Sequence, residues 1–188
     1  MNVSTKLSKK QIFELEIKYK DLWINYSDSG DVKDINWHHL SLTSEDLPED
    51  FMRTFKNYLN WEAISTNQYL SEEFILEVKD YVDWKEIGFT QSLSEDSIRK
   101  FKDRLDWEHI SYNQAISEDF IREFKDKVNW EAISIIHKLS ENFMREFKDK
   151  LNWNALCRFQ TISREFKDEM RKEGYIEEGE NDESVQEF

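Results

Sequence analysis

Four histidines, one cysteine and forty acidic side chains are the groups through which this chain could ligate a metal or move a proton. A zinc site needs three or four ligands converging at recognisable spacing. His38 and His39 are adjacent, so on a helix they diverge by about 100°. His109 and His137 fall at different places in the pattern described below, so the histidines predict no metal. An acidic pair such as Glu118–Asp119 could supply general acid–base chemistry. Similar pairs recur along the chain, at Glu72–Glu73 and Glu95–Asp96, whereas a catalytic pair is normally unique. There is no glycine-rich phosphate loop, no H-E-x-x-H and no serine elbow. Cys157 stands alone and reads as a small core residue. We therefore expect no catalytic residues, no cofactor and no metal, and a protein that is not an enzyme.

What remains is a ladder. Trp37, Trp61, Trp84, Trp107, Trp130 and Trp153 recur at one interval of 24 residues and four of 23. Exposed, such a column could stack bases or a ligand ring; each Trp, however, mostly has an Ile three residues on, which puts both on one helix face and reads as core. A period in this range marks a stacked repeat protein. On the Trp ruler one unit reads W-x-x-I-S-x-x-Q-x-[LI]-S-E-x-F-I-x-x-F-K-D-x-[LV]-[ND]. The copy from Trp107 to Asn129 fits it closely. A second ladder, Gln68, Gln91, Gln114, His137 and Gln160, falls near the end of the first helix; buried amides there are expected to bond backbone of the turn or of the next copy.

Each copy carries two helix starts. Asn36, Asn60, Asp83, Asp106, Asn129 and Asn152 precede the Trp residues, and Ser71, Ser94, Ser117, Ser140 and Ser163 open the second helix; both residue classes are favoured N-caps. The spacing predicts a helix of about two turns, a tight turn and a helix of about three turns. Phe120, Ile121, Phe124 and Val128 form the apolar stripe of the latter. One copy has too few large apolar side chains to order itself, so neighbours must stack. The predicted fold is all-α: an α-solenoid of five to six two-helix repeats over 37–172, as one continuous domain. Residues 1–36 form an N-terminal cap with a helix over roughly Ser8–Tyr26. The segment 173–188, with seven acidic residues and no basic one, is an acidic tail expected to be loosely held.

Composition agrees. Among 188 residues there are four glycines, one proline and 14% aromatics, and the net charge is −14. Acids and bases interleave along the second helices, which argues against direct nucleic-acid binding. No signal-peptide pattern or membrane-crossing run is read, which leads us to expect a cytoplasmic protein without a membrane partner.

In a solenoid the fixed positions build the scaffold and the variable ones face partners. The variable positions directly after the shared Ser, and after the Gln, hold Asn67, Tyr69, Phe89, Thr90, Tyr112, Asn113, Ile135, Ile136, Lys138, Arg158 and Phe159. Their apolar and aromatic character is that of a protein-binding patch. The string L-S-E-x-F-I-x-x-F-K-D-x-[LV]-[ND]-W-x-x-I-S-x-x-Q resembles tandem helical repeats of largely uncharacterised proteins from bacteriophages and large DNA viruses. The resemblance spans roughly residues 37–166 and brings no functional residue with it. It implies a viral accessory protein, made in the host cytoplasm, that inhibits an antiviral defence component by stoichiometric binding. Two other functions fit the composition. One is an acidic nucleic-acid mimic that blocks a nucleic-acid-binding enzyme; the other is a sponge for a nucleotide signal, using Arg158 beside Phe159, or Lys138.

Overall fold

A computed structural model describes residues 9–28, 34–44 and 46–177. These form thirteen α-helices, with no β-strand beyond one isolated bridge between Ser27 and Ile35. Helix α1 (Lys9–Trp23) bends at Tyr19 and runs into a 3-10 turn at Ile24–Tyr26. Six helix pairs follow: α2 (Trp37–Thr43) and α3 (Glu49–Phe55), α4 (Trp61–Asn67) and α5 (Glu72–Glu77), α6 (Trp84–Thr90) and α7 (Glu95–Phe101), α8 (Trp107–Asn113) and α9 (Glu118–Glu123), α10 (Trp130–Ile136) and α11 (Glu141–Glu146), α12 (Trp153–Phe159) and α13 (Arg164–Lys172). The chain is an α-solenoid of stacked helical repeats. Its residues fall into two compact units, Met1–Leu93 and Ser94–Phe188. In the first, α4 packs between α2 and α6; in the second, α10 packs between α8 and α12.

The caps are those expected. Asn60 Oδ1 accepts from the Ala63 amide and Asn129 Oδ1 from that of Ala132, while Ser71, Ser117, Ser140 and Ser163 accept from Phe74, Phe120, Phe143 and Phe166. Pro48 opens α3 without a side-chain cap. The second helices are shorter than the three turns predicted: α5, α9 and α11 hold six residues each. Behind α9 the Lys127 and Val128 amides both turn back onto the Phe124 carbonyl, at 2.8 and 3.1 Å. The stretch Lys125-Asp126-Lys127 has no apolar side chain to hold another turn against the core, and the chain must reach the next cap at Asn129.

The core rests on phenylalanine and isoleucine more than on tryptophan. Phe51, Phe74, Phe120, Phe143 and Phe166 are sealed, as are Ile64, Ile87, Ile110 and Ile133. Trp61 and Trp153 are buried, but Trp37, Trp84, Trp107 and Trp130 are half-buried. Each indole from Trp61 onward donates Nε1–H to the carbonyl five residues earlier, at 2.7–3.0 Å (Lys56, Lys79, Lys102, Lys125 and Lys148). One ring face lies on phenylalanine, as in Trp107–Phe124 at 4.8 Å. Lys127 lies over the Trp107 ring and Lys150 over that of Trp130, 5.6 and 5.4 Å from the centroids. A donor N–H and a cation–π partner suit a ring at the boundary of core and water.

Copies are joined by rungs that reuse the same positions. Where a Ser follows the Ile, it donates back to its own Trp carbonyl and accepts the cap amide of the next copy. Ser65 does so with Asp83, Ser111 with Asn129 and Ser134 with Asn152. The Glu that opens a second helix accepts the amide of the following cap Ser in four cases: Glu49, after Pro48, from Ser71, and Glu95, Glu118 and Glu141, each after a cap Ser, from Ser117, Ser140 and Ser163. Arg53, Arg99, Arg122 and Arg145 pair with Glu77, Glu123, Glu146 and Glu169, each 24 residues on. The same guanidinium groups lie 4.7–5.2 Å from the ring centroids of Phe74, Phe120, Phe143 and Phe166.

Of the acidic segment expected to be loosely held, residues 173–177 are described and packed. Gly174 takes the left-handed conformation that ends a helix, with φ of 84°. The Tyr175 amide then returns to the Met170 carbonyl, its ring lies 5.8 Å from that of Trp153, and Ile176 is buried. Residues 178–188 lie outside the described residues. So do Ser8, part of the expected loop at 27–31, and the side chains of Ile12, Leu15 and Trp23 in the expected cap face. Within that face Tyr19 is buried.

Candidate functional site

The edge to be weighed is where each first helix ends and the chain runs extended into the next. Gln68, Gln91, His137 and Gln160 are the C-caps there, all with extended backbone. Their side chains turn inward and fix the edge. Gln68 Oε1 accepts the Leu47 amide at 2.9 Å while its Nε2 donates to the Ser44 carbonyl. Gln160 repeats this with the Leu139 amide at 2.9 Å and the Ser134 carbonyl at 3.0 Å. His137 keeps one of the two bonds, from Nε2 to the Ser111 carbonyl at 2.7 Å. The amide column thus bonds backbone of the preceding copy, and its buried members are not free to meet a ligand.

With the Gln column pinned inward, the residues flanking it are turned outward. Tyr69 is 90% exposed, and Phe89, Ile136 and Phe159 are each more than half exposed. Tyr112, Asn67, Asn113, Lys138 and Arg158 are exposed as well. Two of the sequence-derived candidates sit deeper. Ile135 is half-buried, and so is Thr90, whose hydroxyl donates to the Ser65 carbonyl at 2.8 Å. Asn113 spends an amide proton on the His109 carbonyl of its own helix. Leu42, 44% exposed at the matching position of the first copy, belongs with this set. The signal for it was present, since Leu42 directly follows Ser41 as Thr66 follows Ser65.

Each unit carries its own part of the edge. In the first it comprises Leu42, Asn67, Tyr69, Phe89 and Thr90. In the second it comprises Tyr112, Asn113, Ile135, Ile136, Lys138, Arg158 and Phe159. There the turn after α10 and the end of α12 enclose a cleft of 240 Å³ lined by Ile135, Ile136, Lys138, Leu139, Phe159 and Thr161, with His137 and Gln160 at its base. Clefts that hold whole small molecules run to roughly 300–1,000 Å³, and this one falls below that range.

Several arginines elsewhere are held by carboxylates. Arg99 and Arg122 each touch three carboxylates. The Arg145 guanidinium holds the Glu169 carboxyl below the ordinary range for glutamate. Among the described residues no group of three or more His, Cys, Asp and Glu is placed to hold a metal ion. No helix there is long and apolar enough to cross a membrane. No family model matches the chain, and neither a curated protein nor a solved structure is similar enough to count as a match.

Proposed function

We propose that the chain is a non-enzymatic binding solenoid that engages a protein partner along the edge of turn residues beside the Gln ladder. What supports this reading above all is the contrast within one repeat. The positions that seal the core or form rungs hold the same residue type in most copies, with exceptions such as Ser97, Leu76 and His137. The exposed positions beside them change freely yet keep large apolar side chains, among them Tyr69, Phe89, Ile136 and Phe159. Exposed aromatic and aliphatic side chains on a fixed backbone are the usual anchors of protein interfaces. The resemblance to viral tandem repeats makes a host defence component our choice of partner, bound stoichiometrically and thereby inhibited, in the host cytoplasm.

The acidic-mimic alternative draws less support. A mimic of nucleic acid needs unpaired carboxylates arrayed on one face, and the carboxylates of Glu77, Glu123, Glu146 and Glu169 are each met by an arginine. The test is cross-linking capture from infected cells with the full chain and with two variants, Phe89→Asp and Phe159→Asp. A protein retained at one-to-one stoichiometry by the wild type and lost by either variant is the expected result. A partner held equally by all three, or only nucleic-acid-binding enzymes displaced by DNA, would overturn it.

A further inference from the structure

The cleft between α10 and α12 differs from the rest of the edge in one respect. From Trp61 onward, Lys138 and Arg158 are the only charged residues at the outward positions beside the Gln ladder; the others are Thr66, Asn67, Tyr69, Phe89, Thr90, Ser92, Tyr112, Asn113, Ala115, Ile135, Ile136, Phe159 and Thr161. Lys138 lines the cleft together with Ile135, Ile136 and Phe159, and Arg158 is the residue just before Phe159. Neither is neutralised by a carboxylate among the described residues, whereas Arg53, Arg99, Arg122, Arg145 and Arg171 all are. Arg158 instead lies over the ring of its neighbour Phe159, 5.3 Å from the centroid. No Asp or Glu lines the cleft.

Resting on the protein-binding reading above, we infer that this cleft seats one bulky apolar side chain from an acidic segment of the partner. Lys138 and Arg158 take the carboxylates that flank that side chain. The cleft lies below the usual volume of small-molecule sites and has room for one phenylalanine or leucine side chain. The charge argument selects the flanking chemistry. Unpaired cations attract acidic segments and repel basic ones, which sets the choice of partner and speeds encounter more than it adds contact area. The anchor is Phe159 with Ile136, whose exposed faces lose their water when the cleft fills.

The full chain, immobilised, is titrated with fluorescein-labelled twelve-residue peptides that carry one central Phe. The flanking residues are Asp and Glu, Asn and Ser, or Lys and Arg. The acidic set should bind about tenfold more tightly than the neutral set, and the preference should shrink as salt rises. Reversing both charges (Lys138→Glu with Arg158→Glu) should erase the preference while leaving neutral-peptide binding in place. Filling the cleft with Thr161→Trp should weaken all sets, and helix content by circular dichroism confirms that each variant is folded. Equal affinity for the three sets, no binding by any, or a preference that survives the double reversal would overturn the inference. So would displacement of the acidic peptide by a nucleoside triphosphate. If a partner captured from cells is lost with Phe89→Asp but unaffected by Thr161→Trp, the binding edge stands and this cleft is not its anchor.

Discussion

Leu70 and Gln91 belong to successive copies, and the Leu70 amide donates to Gln91 Oε1 at 3.0 Å while Gln91 Nε2 returns to the Gln68 carbonyl at 2.8 Å. One side chain thus satisfies a buried donor and a buried acceptor that no helix or sheet ladder reaches. Replacing Gln91 by Leu keeps the volume and strands both groups. Each buried unsatisfied group costs about 1–3 kcal/mol, so Gln91→Leu should lower the denaturation midpoint well beyond the effect of an exposed change such as Ser92→Ala. Chemical denaturation of the two variants side by side checks this. Equal midpoints would mean that water serves the backbone as well as the amide does.

The same logic makes one copy improvable. His137 donates to the Ser111 carbonyl, but Ile116, at the place of Leu47, Leu70 and Leu139, has no protein acceptor for its amide. His137→Gln restores the missing bond. A typical net gain of about 1 kcal/mol raises Tm by roughly 2–4 °C in a chain of this size. Thermal unfolding followed at the helix band measures it; an unchanged or lower Tm would show that the imidazole packing contributes more than the lost acceptor.

Burial orders the aromatic positions differently from their size. Phe120 is fully sealed, whereas Trp107 is half-buried and satisfied by the Lys102 carbonyl at 2.9 Å. Truncating a fully buried Phe costs about 3–5 kcal/mol. Phe120→Ala should therefore destabilise more than Trp107→Ala, although the indole is the larger ring. Urea midpoints for the pair decide it, and the reverse order would restore tryptophan as the centre of the core.

How much of this was legible in the sequence follows from what the repeat period contains. The caps, the two-helix unit and the outward set were legible because each depends on spacing within one copy. The Gln ladder was read as bonding across copies, though toward the next copy where the amides in fact reach back to the preceding one. The serine, glutamate and arginine rungs went unread because each joins residues 18–24 apart and their register depends on how copies stack. A signal existed. Arg53, Arg99, Arg122 and Arg145 each have Glu 24 residues later, and where Leu76 replaces the arginine, Lys100 replaces the glutamate and Ser97 the phenylalanine. The ends carry the same signal. Positions that reach back are altered in the first copy, where Ser44 stands for Gln, Pro48 for Ser and Thr54 for Glu. Positions that reach forward are altered in the last, where Cys157 stands for Ser, Arg164 for Glu and Asp168 for Arg. Pro48 has no N–H to offer, and none is needed where no Trp-led copy precedes it. The half-buried tryptophans were misjudged for a different reason: periodicity places a residue on the inner face but does not say how deep it sits.

The arginine rungs make stability depend on acid. Pairing with Arg145 lowers the Glu169 carboxyl below its ordinary value of 4.5, and pairing with Lys18 lowers Asp50 below 3.8. A carboxyl depressed in the folded state binds its proton less readily there than in the unfolded chain. Its contribution is therefore complete above the unfolded value and is lost as pH falls through the folded one. Stability should hold between pH 7 and about 5, then decline through the carboxylate range. Arg145→Gln removes the partner and returns Glu169 toward its ordinary value. The variant should be slightly less stable at neutral pH, as for an exposed pair, and should converge on the wild type in acid. Urea midpoints at pH 7 and pH 3 for both proteins test this. A gap that stays constant with pH would assign the role of Arg145 to its contact with the Phe166 ring, 4.7 Å from the centroid, which does not titrate with Glu169.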